Sequence, residues 1–293
     1  MDFRLTVFVS VAHNLNFTRA ANELHISQPA ISRHIQELES TYKTQLFERS
    51  GNKVKLTASG ETLLRYAENI MESYRNLQLE MNLLTGNFSG ELRVGSSTTI
   101  TQYILPPIIA KFISKFPDIK LTVTSGNTEQ IEQMLEKHEI DIGLVEGAHR
   151  KSSLKYTAFQ KDELVLITSV RNKIGEEISL DELAKLPLVL REAGSGTLDV
   201  IEREFARHNK KLSQMNILLQ LGSTESIKLF IENSSSAFAI VSIAAVSREL
   251  LRNTFKIVEI AGVELEREFT YVIKHGEYSE IQERFTRFLV HEL

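Results

Sequence analysis

The chain has 293 residues and a formal net charge of −4, and it contains no cysteine. This length predicts about two domains. The absence of cysteine excludes disulfides, thiolate metal sites and a cysteine nucleophile. No stretch reaches the ~18 apolar residues that a membrane helix needs, and the N-terminus lacks the basic start of a signal peptide. We therefore expect a soluble protein of the cytoplasm.

The charge is unevenly distributed. Residues 1–60 hold seven Lys or Arg and five Asp or Glu, so the remainder of the chain carries −6 of the total. A mildly basic head on an acidic body is a weak indication of DNA binding.

The segment "FTRAANELHISQPAISRHIQELE" (17–39) joins two helical patterns through a short break. Ala20 and Ala21 leave room for a second helix to cross closely. Ser27 suits an N-cap and Pro29 a first turn. Off the apolar face lie residues whose polar atoms suit base edges and phosphates: Gln28, Ser32, Arg33 and Gln36. With the helix start, the predicted DNA-binding residues of this segment are Ser27, Gln28, Pro29, Ser32, Arg33 and Gln36. The pattern predicts a helix-turn-helix with a recognition helix in the major groove, although a generic three-helix domain would show the same apolar spacing.

The segment "LFERSGNKVKLTASG" (46–60) predicts a β-hairpin wing. Val54 and Leu56 alternate with Lys53 and Lys55 after a Ser-Gly-Asn turn. Arg49 and Lys53 would then contact the phosphates that flank the recognition helix.

A long helical pattern without proline follows, from about Thr57 to Leu84. Its apolar side chains recur at steps of four and three, as in a heptad seam. We predict that this seam joins two copies of the chain, and the alternative is a helix packed on its own domain. The predicted dimerisation residues are Leu63, Ala67, Ile70, Tyr74, Leu77 and Met81, with Leu84 at the end of the pattern.

From Glu91 onward, apolar strand patterns alternate with helical ones, which predicts an α/β fold with largely parallel strands. Hydroxyl-rich clusters stand where strands end and helices begin, the positions at which open α/β sheets bind ligands. Each cluster alone could be a helix cap, and Arg191 could pair with a carboxylate of the fold. If the clusters converge, they form an anion site whose candidate residues are Ser97, Thr98, Thr99, Thr128, Arg191, Ser195, Thr197 and Thr224.

The two N-terminal segments quoted above strongly resemble the LysR-type transcriptional regulators, over the first ~85 residues in sequence and over the remainder in layout. The body segments "SSTTITQYILP", "GNTE", "DIGLVEG" and "REAGSGT" resemble the branch that controls sulfur assimilation and carbon fixation. The sequence departs from the family at Lys43, where a glycine is usual, and near Ser235 and Ala237, where glycines are common.

The resemblance implies a fold and a set of partners. The fold is a winged helix-turn-helix (1–58), a linker and dimerisation helix (59–88), and a two-lobed effector domain of the type II periplasmic-binding-protein kind (89–293). Its lobes are expected at about 89–161 with 268–293, and at about 162–267. The partners are double-stranded DNA, a second copy in a dimer or a dimer of dimers, a small anionic metabolite, and RNA polymerase.

The alternatives to a regulator are an enzyme and a transport binding protein. Complete motifs of metalloproteases, serine hydrolases and nucleotide-binding enzymes are missing, and the eight histidines lack metal-ligand spacing. We therefore expect no enzyme, no metal and no cofactor. A transport binding protein would need a signal peptide and would not need a basic head.

Overall fold

The computed structural model describes residues 2–50, 53–84, 89–147, 150–276 and 278–292, with the backbone alone for residues 49, 50, 53, 72, 75, 76, 78–80 and 82–84. The chain divides into two compact units, Met1–Asn87 and Phe88–Leu293, which we call the head and the body. Each has hydrophobic clusters of its own.

The head consists of three short helices, a hairpin and one long helix. Its elements are α1 (Phe3–Asn14), α2 (Phe17–Glu23), α3 (Gln28–Tyr42), β1 (Phe47–Ser50), β2 (Lys53–Leu56) and α4 (Ala58–Leu84). Side chains of Asp2, Asn16 and Ser27 accept hydrogen bonds from first-turn N–H groups and so fix where the short helices begin. Ala20 and Ile31 are fully buried where α2 and α3 meet in the core.

Helix α3 ends in a left-handed turn at Lys43, with φ 52° and ψ 36°. The N–H of Lys43 donates to the carbonyl of Glu39, and so does the N–H of Thr44, at 3.1 Å. A glycine adopts this backbone without steric cost, whereas a side chain does not. The departure from the family pattern at Lys43 therefore places a Cβ atom in a left-handed turn.

The body contains ten strands among the described residues. They are β3 (Gly90–Ser97), β4 (Ile119–Gly126), β5 (Ile142–Glu146), β6 (Leu154–Ser169), β7 (Glu177–Ile178), β8 (Leu188–Arg191), β9 (Ile217–Leu221), β10 (Phe238–Ser242), β11 (Phe255–Ile260) and β12 (Glu266–Lys274).

Helices alternate with most of these strands. They are α5 (Leu105–Lys115), α6 (Thr128–Glu136), α7 (Leu180–Leu183), α8 (Gly196–Arg207), α9 (Thr224–Asn233), α10 (Ile243–Leu251) and α11 (Glu280–His291). A π-helical turn (Ile100–Ile104) leads into α5, and a 3-10 turn (Leu212–Gln214) precedes β9.

The long strand β6 connects two halves of the sheet. The strand order is β4-β3-β5-β12-β6-β10-β8-β9, with β11 also on β6 and β7 on β11. The first part of β6 pairs with β12 up to Glu163, and the second part pairs with β10 and β11 from Leu164 onward. The halves form two lobes: β3, β4, β5 and β12 with α5, α6 and α11 in the first lobe, and β7 to β11 with α7 to α10 in the second.

The chain therefore crosses between the lobes at Glu163/Leu164 and at Leu265/Glu266, two residues from the lobe boundaries expected from the sequence. The N–H of Leu164 donates to the carbonyl of Leu265 at 2.9 Å, which ties the two crossings together. Within the second lobe, alternate residues of β6 enter clusters on opposite faces of the sheet, as in strands that are buried on both faces.

The fold class predicted from the sequence is confirmed, and the strand segments that alternation indicated are strands. Three stretches were missed: β7, β11 and the first ten residues of β6. All three mix charged and apolar residues, so their strand pattern is weak.

The turn before β10 lacks the glycines that are common in the family. The hydroxyl of Ser234 accepts hydrogen bonds from the N–H groups of Ser236 and Ala237, at 3.3 and 3.1 Å. Such a serine turn stabilises the bend without a positive φ angle. The missing glycines near Ser235 and Ala237 are thus replaced by a side-chain hydrogen bond.

We expect Lys43→Gly to stabilise the end of α3 by about 1 kcal/mol, because glycine relieves the Cβ contact of the left-handed turn. Hydrogen exchange of the intact chain measures this gain as slower exchange of the α3 amides. Lys43→Ala removes the same charge but keeps a Cβ, and its protection should equal that of the parent. Equal protection of both variants would mean that the turn is unstrained.

Candidate DNA interface and effector site

The recognition helix α3 turns a polar face outward. The hydroxyl of Ser27 accepts from the N–H of Ala30 at 3.3 Å, and Pro29 stands exposed in the first turn. Gln28 and Ser32 are half-buried, and the amide nitrogen of Gln28 donates to the hydroxyl of Ser32 at 2.9 Å. This bond orients the two side chains on one surface.

Further along α3, Arg33 and Gln36 are exposed. The Arg33 guanidinium, 80% exposed, donates to Glu37 at 3.0 Å. Because exposed pairs one helical turn apart contribute only a few tenths of a kcal/mol, a phosphate or base can take this guanidinium from Glu37. His34, by contrast, packs its ring edge-on against that of Phe3.

The wing is the β1–β2 hairpin. Its register places Val54 opposite Arg49, and Val54 packs against the head core. The Glu39 carboxylate accepts from the N–H groups of Leu46 and Phe47, at 2.8 and 3.4 Å, and so joins α3 to the wing. Sequence reasoning missed this role of Glu39. Lys55 is exposed, whereas the side chains of Arg49 and Lys53 lie outside the described residues.

Helix α4 divides the predicted seam into two parts. Ala67 is fully buried and Leu63 partly buried in the core of the head itself. The remaining predicted seam residues, together with Tyr66, are 38–57% exposed large apolar side chains: Tyr66, Ile70, Tyr74, Leu77 and Met81. The side chain of Leu84 is outside the described residues. The start of α4 thus packs into the hydrophobic core of the head, and the helix also presents a stripe of exposed apolar side chains.

In the body, two of the predicted effector residues bond to a carboxylate of the protein. The hydroxyls of Thr99 in the first lobe and Thr197 in the second both donate to Oε1 of Glu146, at 3.1 and 3.3 Å. All three residues are at most 2% exposed. Glu146 ends β5, and sequence reasoning assigned it no place in this site.

The same carboxylate faces Arg267 of β12. Nη2 of Arg267 lies 3.0 Å from Oε2 of Glu146 without hydrogen-bond alignment, so charge holds this pair. Nη1 donates to the hydroxyl of Thr197 at 2.9 Å, and Nε donates to Asp162 at 2.7 Å. The hydroxyl of Ser242 donates to the other oxygen of Asp162, at 2.7 Å. A single cation thus serves two buried carboxylates.

Two glycines permit this approach of the lobes. A Cβ atom at Gly196, the first residue of α8, would stand 1.8 Å from the carbonyl oxygen of Glu146. Gly147 has a φ of +113°, and a Cβ there would lie 2.9 Å from the Cα of Gly196. Any side chain at Gly196 would therefore separate the end of β5 from the start of α8.

Thr128 and Ser195 line a cavity of about 440 Å³ between α6 and α8. Thr128 donates to the carbonyl of Glu146 at 2.8 Å, and Ser195 caps α8. Across this region the N–H of Glu129 donates to the carbonyl of Gly194 at 3.2 Å. The charged lining comprises four carboxylates and two cations, Glu129, Glu132, Asp199 and Glu202 with Arg150 and Lys151, which is an unfavourable surrounding for an anion.

Arg191 closes β8 and is 1% exposed. Its Nε and Nη2 atoms donate to the carboxylate of Glu192 at 2.8 and 2.9 Å, whereas Nη1 is buried without a hydrogen-bond partner. Burial would raise the pKa of Glu192, but the hydrogen bonds from Arg191 outweigh it, so this pKa lies below its usual value. The amide of Asn127, from the first lobe, reaches Glu192 at 3.4 Å.

Thr98 and Tyr103 stand in the first lobe, just after the end of β3. The hydroxyl of Thr98 is buried and has no hydrogen-bond partner. The Tyr103 hydroxyl donates to Glu225 of the second lobe, and burial together with this carboxylate raises the pKa of Tyr103. Of the other predicted residues, Ser97 accepts from the N–H of Ile100 at 3.4 Å, and Thr224 is buried in the first turn of α9.

Within the part of the chain that the structure describes, no group of three or more His, Asp or Glu residues could hold a metal ion. No described helix is both long and apolar enough to cross a membrane.

Family models match both units. The bacterial regulatory helix-turn-helix protein, lysR family, matches residues 3–61, and the LysR substrate binding domain matches residues 85–293. The chain belongs to the LysR family. It is a DNA-binding transcription regulator with an effector-binding domain, and it is not an enzyme.

Relatives identify the branch within the LysR family. A RuBisCO operon transcriptional regulator of Allochromatium vinosum is 31% identical over 93% of this chain and 89% of the relative. The regulator CysL of Bacillus subtilis is 29% identical over 92% of this chain and 89% of the relative. The Synechocystis PCC6803 CcmR regulatory domain, solved in complex with 2-PG, is 26% identical with a TM-score of 0.63, over 70% of this chain and 97% of that domain. The predicted sulfur-assimilation and carbon-fixation branch is confirmed.

We expect Gln28→Ala to cost roughly 1–3 kcal/mol on a specific site and little on random DNA, because its amide would read a base edge. Lys55→Ala on the wing should weaken binding to both DNAs about equally and lower the salt slope by about one, because a wing lysine contacts phosphate. Gel-shift titrations at several salt concentrations measure both effects. Equal losses of Gln28→Ala on specific and random DNA would exclude base readout by this residue.

We expect the double variant Ile70→Asp, Leu77→Asp to lose self-association, because a buried unpaired charge costs several kcal/mol. Sedimentation velocity measures the association, and gel shifts should show a parallel loss of tight DNA binding, since each subunit contacts one half-site. Asn69→Asp is the control, because it adds a charge at an exposed position of α4 outside the seam. An unchanged assembly of the double variant would exclude the stripe as the interface.

Proposed function

We propose that a small anionic metabolite binds between the two lobes of the body, beside Arg191 and Thr98, and thereby alters the DNA affinity or DNA bend of this regulator. The observation that carries the proposal is a pair of buried polar atoms without partners, Nη1 of Arg191 and the hydroxyl of Thr98. They come from opposite lobes. Buried polar atoms in folded proteins nearly always have hydrogen-bond partners, so a ligand is a reasonable source of the missing acceptor.

The chemistry of Arg191 supports an anion. Guanidinium groups form strong charge-assisted hydrogen bonds with carboxylates and phosphates. The side chain stands at the carboxyl end of β8, the end at which α/β sheets bind ligands. It is already oriented by Glu192 and by the carbonyl of Gly222, at 3.4 Å. The complex of the Synechocystis relative with 2-PG also supports a small anionic effector.

A ligand at this position would act by changing how the lobes are held together. Tyr103 and Asn127 of the first lobe already contact Glu225 and Glu192 of the second. A ligand that bridges Thr98 and Arg191 would favour the arrangement in which these contacts exist. Only such a difference in affinity between two lobe arrangements can shift the geometry with which DNA is bound.

Ser97 and Thr224 keep their places in the proposal as neighbours of the ligand. Thr128 and Ser195 line the cavity with four carboxylates, so we propose that they hold the starts of α6 and α8 in place. The proposed assembly is a dimer, or a dimer of dimers, joined through the exposed stripe of α4. We propose a cytoplasmic location, because the protein binds DNA. Contact with RNA polymerase stays a prediction from the sequence.

A thermal-shift screen of sulfur compounds, sugar phosphates and small carboxylates on the intact chain should find the effector. A ligand at 100 times its Kd stabilises a protein by about 2.7 kcal/mol. We expect Thr98→Val to weaken ligand binding by about tenfold or more, because a hydrogen bond to a charged group contributes about 1.5–3 kcal/mol. The unliganded variant should be as stable as the parent or slightly more stable, since valine replaces an unpartnered buried hydroxyl with a methyl group.

Thr99→Val is the matched control. It removes a hydroxyl that donates to Glu146, so it should lower the melting temperature without ligand. An unchanged affinity of Thr98→Val for the ligand of the parent would exclude Thr98 and leave its hydroxyl as an unsatisfied group of the fold.

A further inference from the structure

Three donor side chains from three parts of the body converge on one buried carboxylate. Thr99 comes from the first lobe, Thr197 from the second and Arg267 from the returning strand β12. All three face Glu146, at distances of 3.0 to 3.3 Å. We call these three donors the cradle.

The cradle has the composition of a binding site for a small anion. It offers two hydroxyl donors and one guanidinium, each at most 2% exposed as a side chain or residue. Charge-assisted and hydroxyl hydrogen bonds in such a water-poor position hold carboxylates strongly. Here the carboxylate is supplied by the chain.

We propose that Glu146 acts as a built-in ligand, which fills an anion site between the lobes and keeps them together at this end without any effector. The effector then has no anionic group in the cradle. A second negative charge there would be repelled by the carboxylate of Glu146, which already faces all three donors of the cradle. This inference deepens the proposed function, because it restricts the anionic end of the effector to the region of Arg191 and Thr98.

An open cavity borders the cradle at Arg267. This cavity of about 610 Å³ is lined by β6 and β12, the two strands that run from one lobe to the other. Its lining residues include Gly147, Asp162 and Arg267. Exposed Arg150 and Arg203 also line it. A carboxylate as small as acetate can therefore approach Arg267 once the side chain of Glu146 is removed.

The test is chemical rescue of Glu146→Ala in the intact chain. The variant should melt about 6–15 °C below the parent, because a buried ion pair has lost one partner. Acetate, raised from about 1 to about 100 mM, should then increase the melting temperature by at least about 2 °C more than it does in the parent. Sodium chloride at the same ionic strength measures the general effect of salt and should not restore stability.

Two further variants test whether the response of the melting temperature to acetate comes from the vacant cradle. Glu146→Gln removes the charge but leaves the cradle filled, so it should be less stable than the parent and should not respond to acetate. Glu129→Ala removes an exposed carboxylate that lines the neighbouring cavity, and it should behave as the parent does. If Glu146→Ala does not fold alone, refolding in acetate but not in chloride carries the same meaning.

An equal response of the parent, Glu146→Gln and Glu146→Ala to acetate would overturn the proposal, as would a folded Glu146→Ala with no response. The rescue needs no effector, so its failure is distinct from failure of the proposed function, which Thr98→Val tests with the screened ligand. Both proposals are supported if acetate rescues Glu146→Ala and if Thr98→Val weakens binding of the effector.

Discussion

The guanidinium group of Arg267 connects the two lobes of the body to the hinge between them. The hinge is the place where β6 and β12 cross from one lobe to the other, at Glu163/Leu164 and Leu265/Glu266. The guanidinium bonds to Asp162 on the neighbouring hinge strand, to Thr197 in the second lobe, and faces Glu146 in the first. Buried charges are tolerated only when each has a partner, and removal of one partner costs several kcal/mol. The apolar clusters lie within single lobes, so this polar network fixes the arrangement of the lobes at the hinge.

The network depends on backbone as much as on charge. Thr197 reaches Glu146 only because α8 begins at a glycine that lies against the end of β5, with no room for a Cβ atom. Thr128 adds a hydrogen bond to the carbonyl of the same Glu146, at 2.8 Å. Both oxygens of the side chain and the backbone oxygen of this residue are therefore directed by neighbours. A flexible glutamate becomes a rigid part of the site.

Local sequence patterns predicted the elements well and the site less well. The caps at Ser27 and Ser195, the single long helix α4 and the ends of the strands are visible because their causes lie within a few residues of each other. Arg267 and its partner Asp162 are 105 residues apart, and no local pattern connects them. The hydroxyl clusters predicted a site, whereas the contacts of Thr99 and Thr197 with Glu146 depend on where Glu146 points, which only the fold determines.

The two ends of the cleft differ in a way that suits a sensor. Around Glu146 the carboxylate faces Arg267 and accepts two hydroxyl hydrogen bonds. At Arg191 one nitrogen is buried without a hydrogen-bond partner, and so is the hydroxyl of Thr98 in the first lobe. In the proposed scheme, the Glu146 end holds the lobes together without effector and acts as a pivot. An end with unsatisfied donors is less stable when empty, and it gains most from a ligand that supplies the missing acceptor. The free energy of effector binding would therefore be used at the Arg191 end, where the contacts between the lobes are incomplete without it.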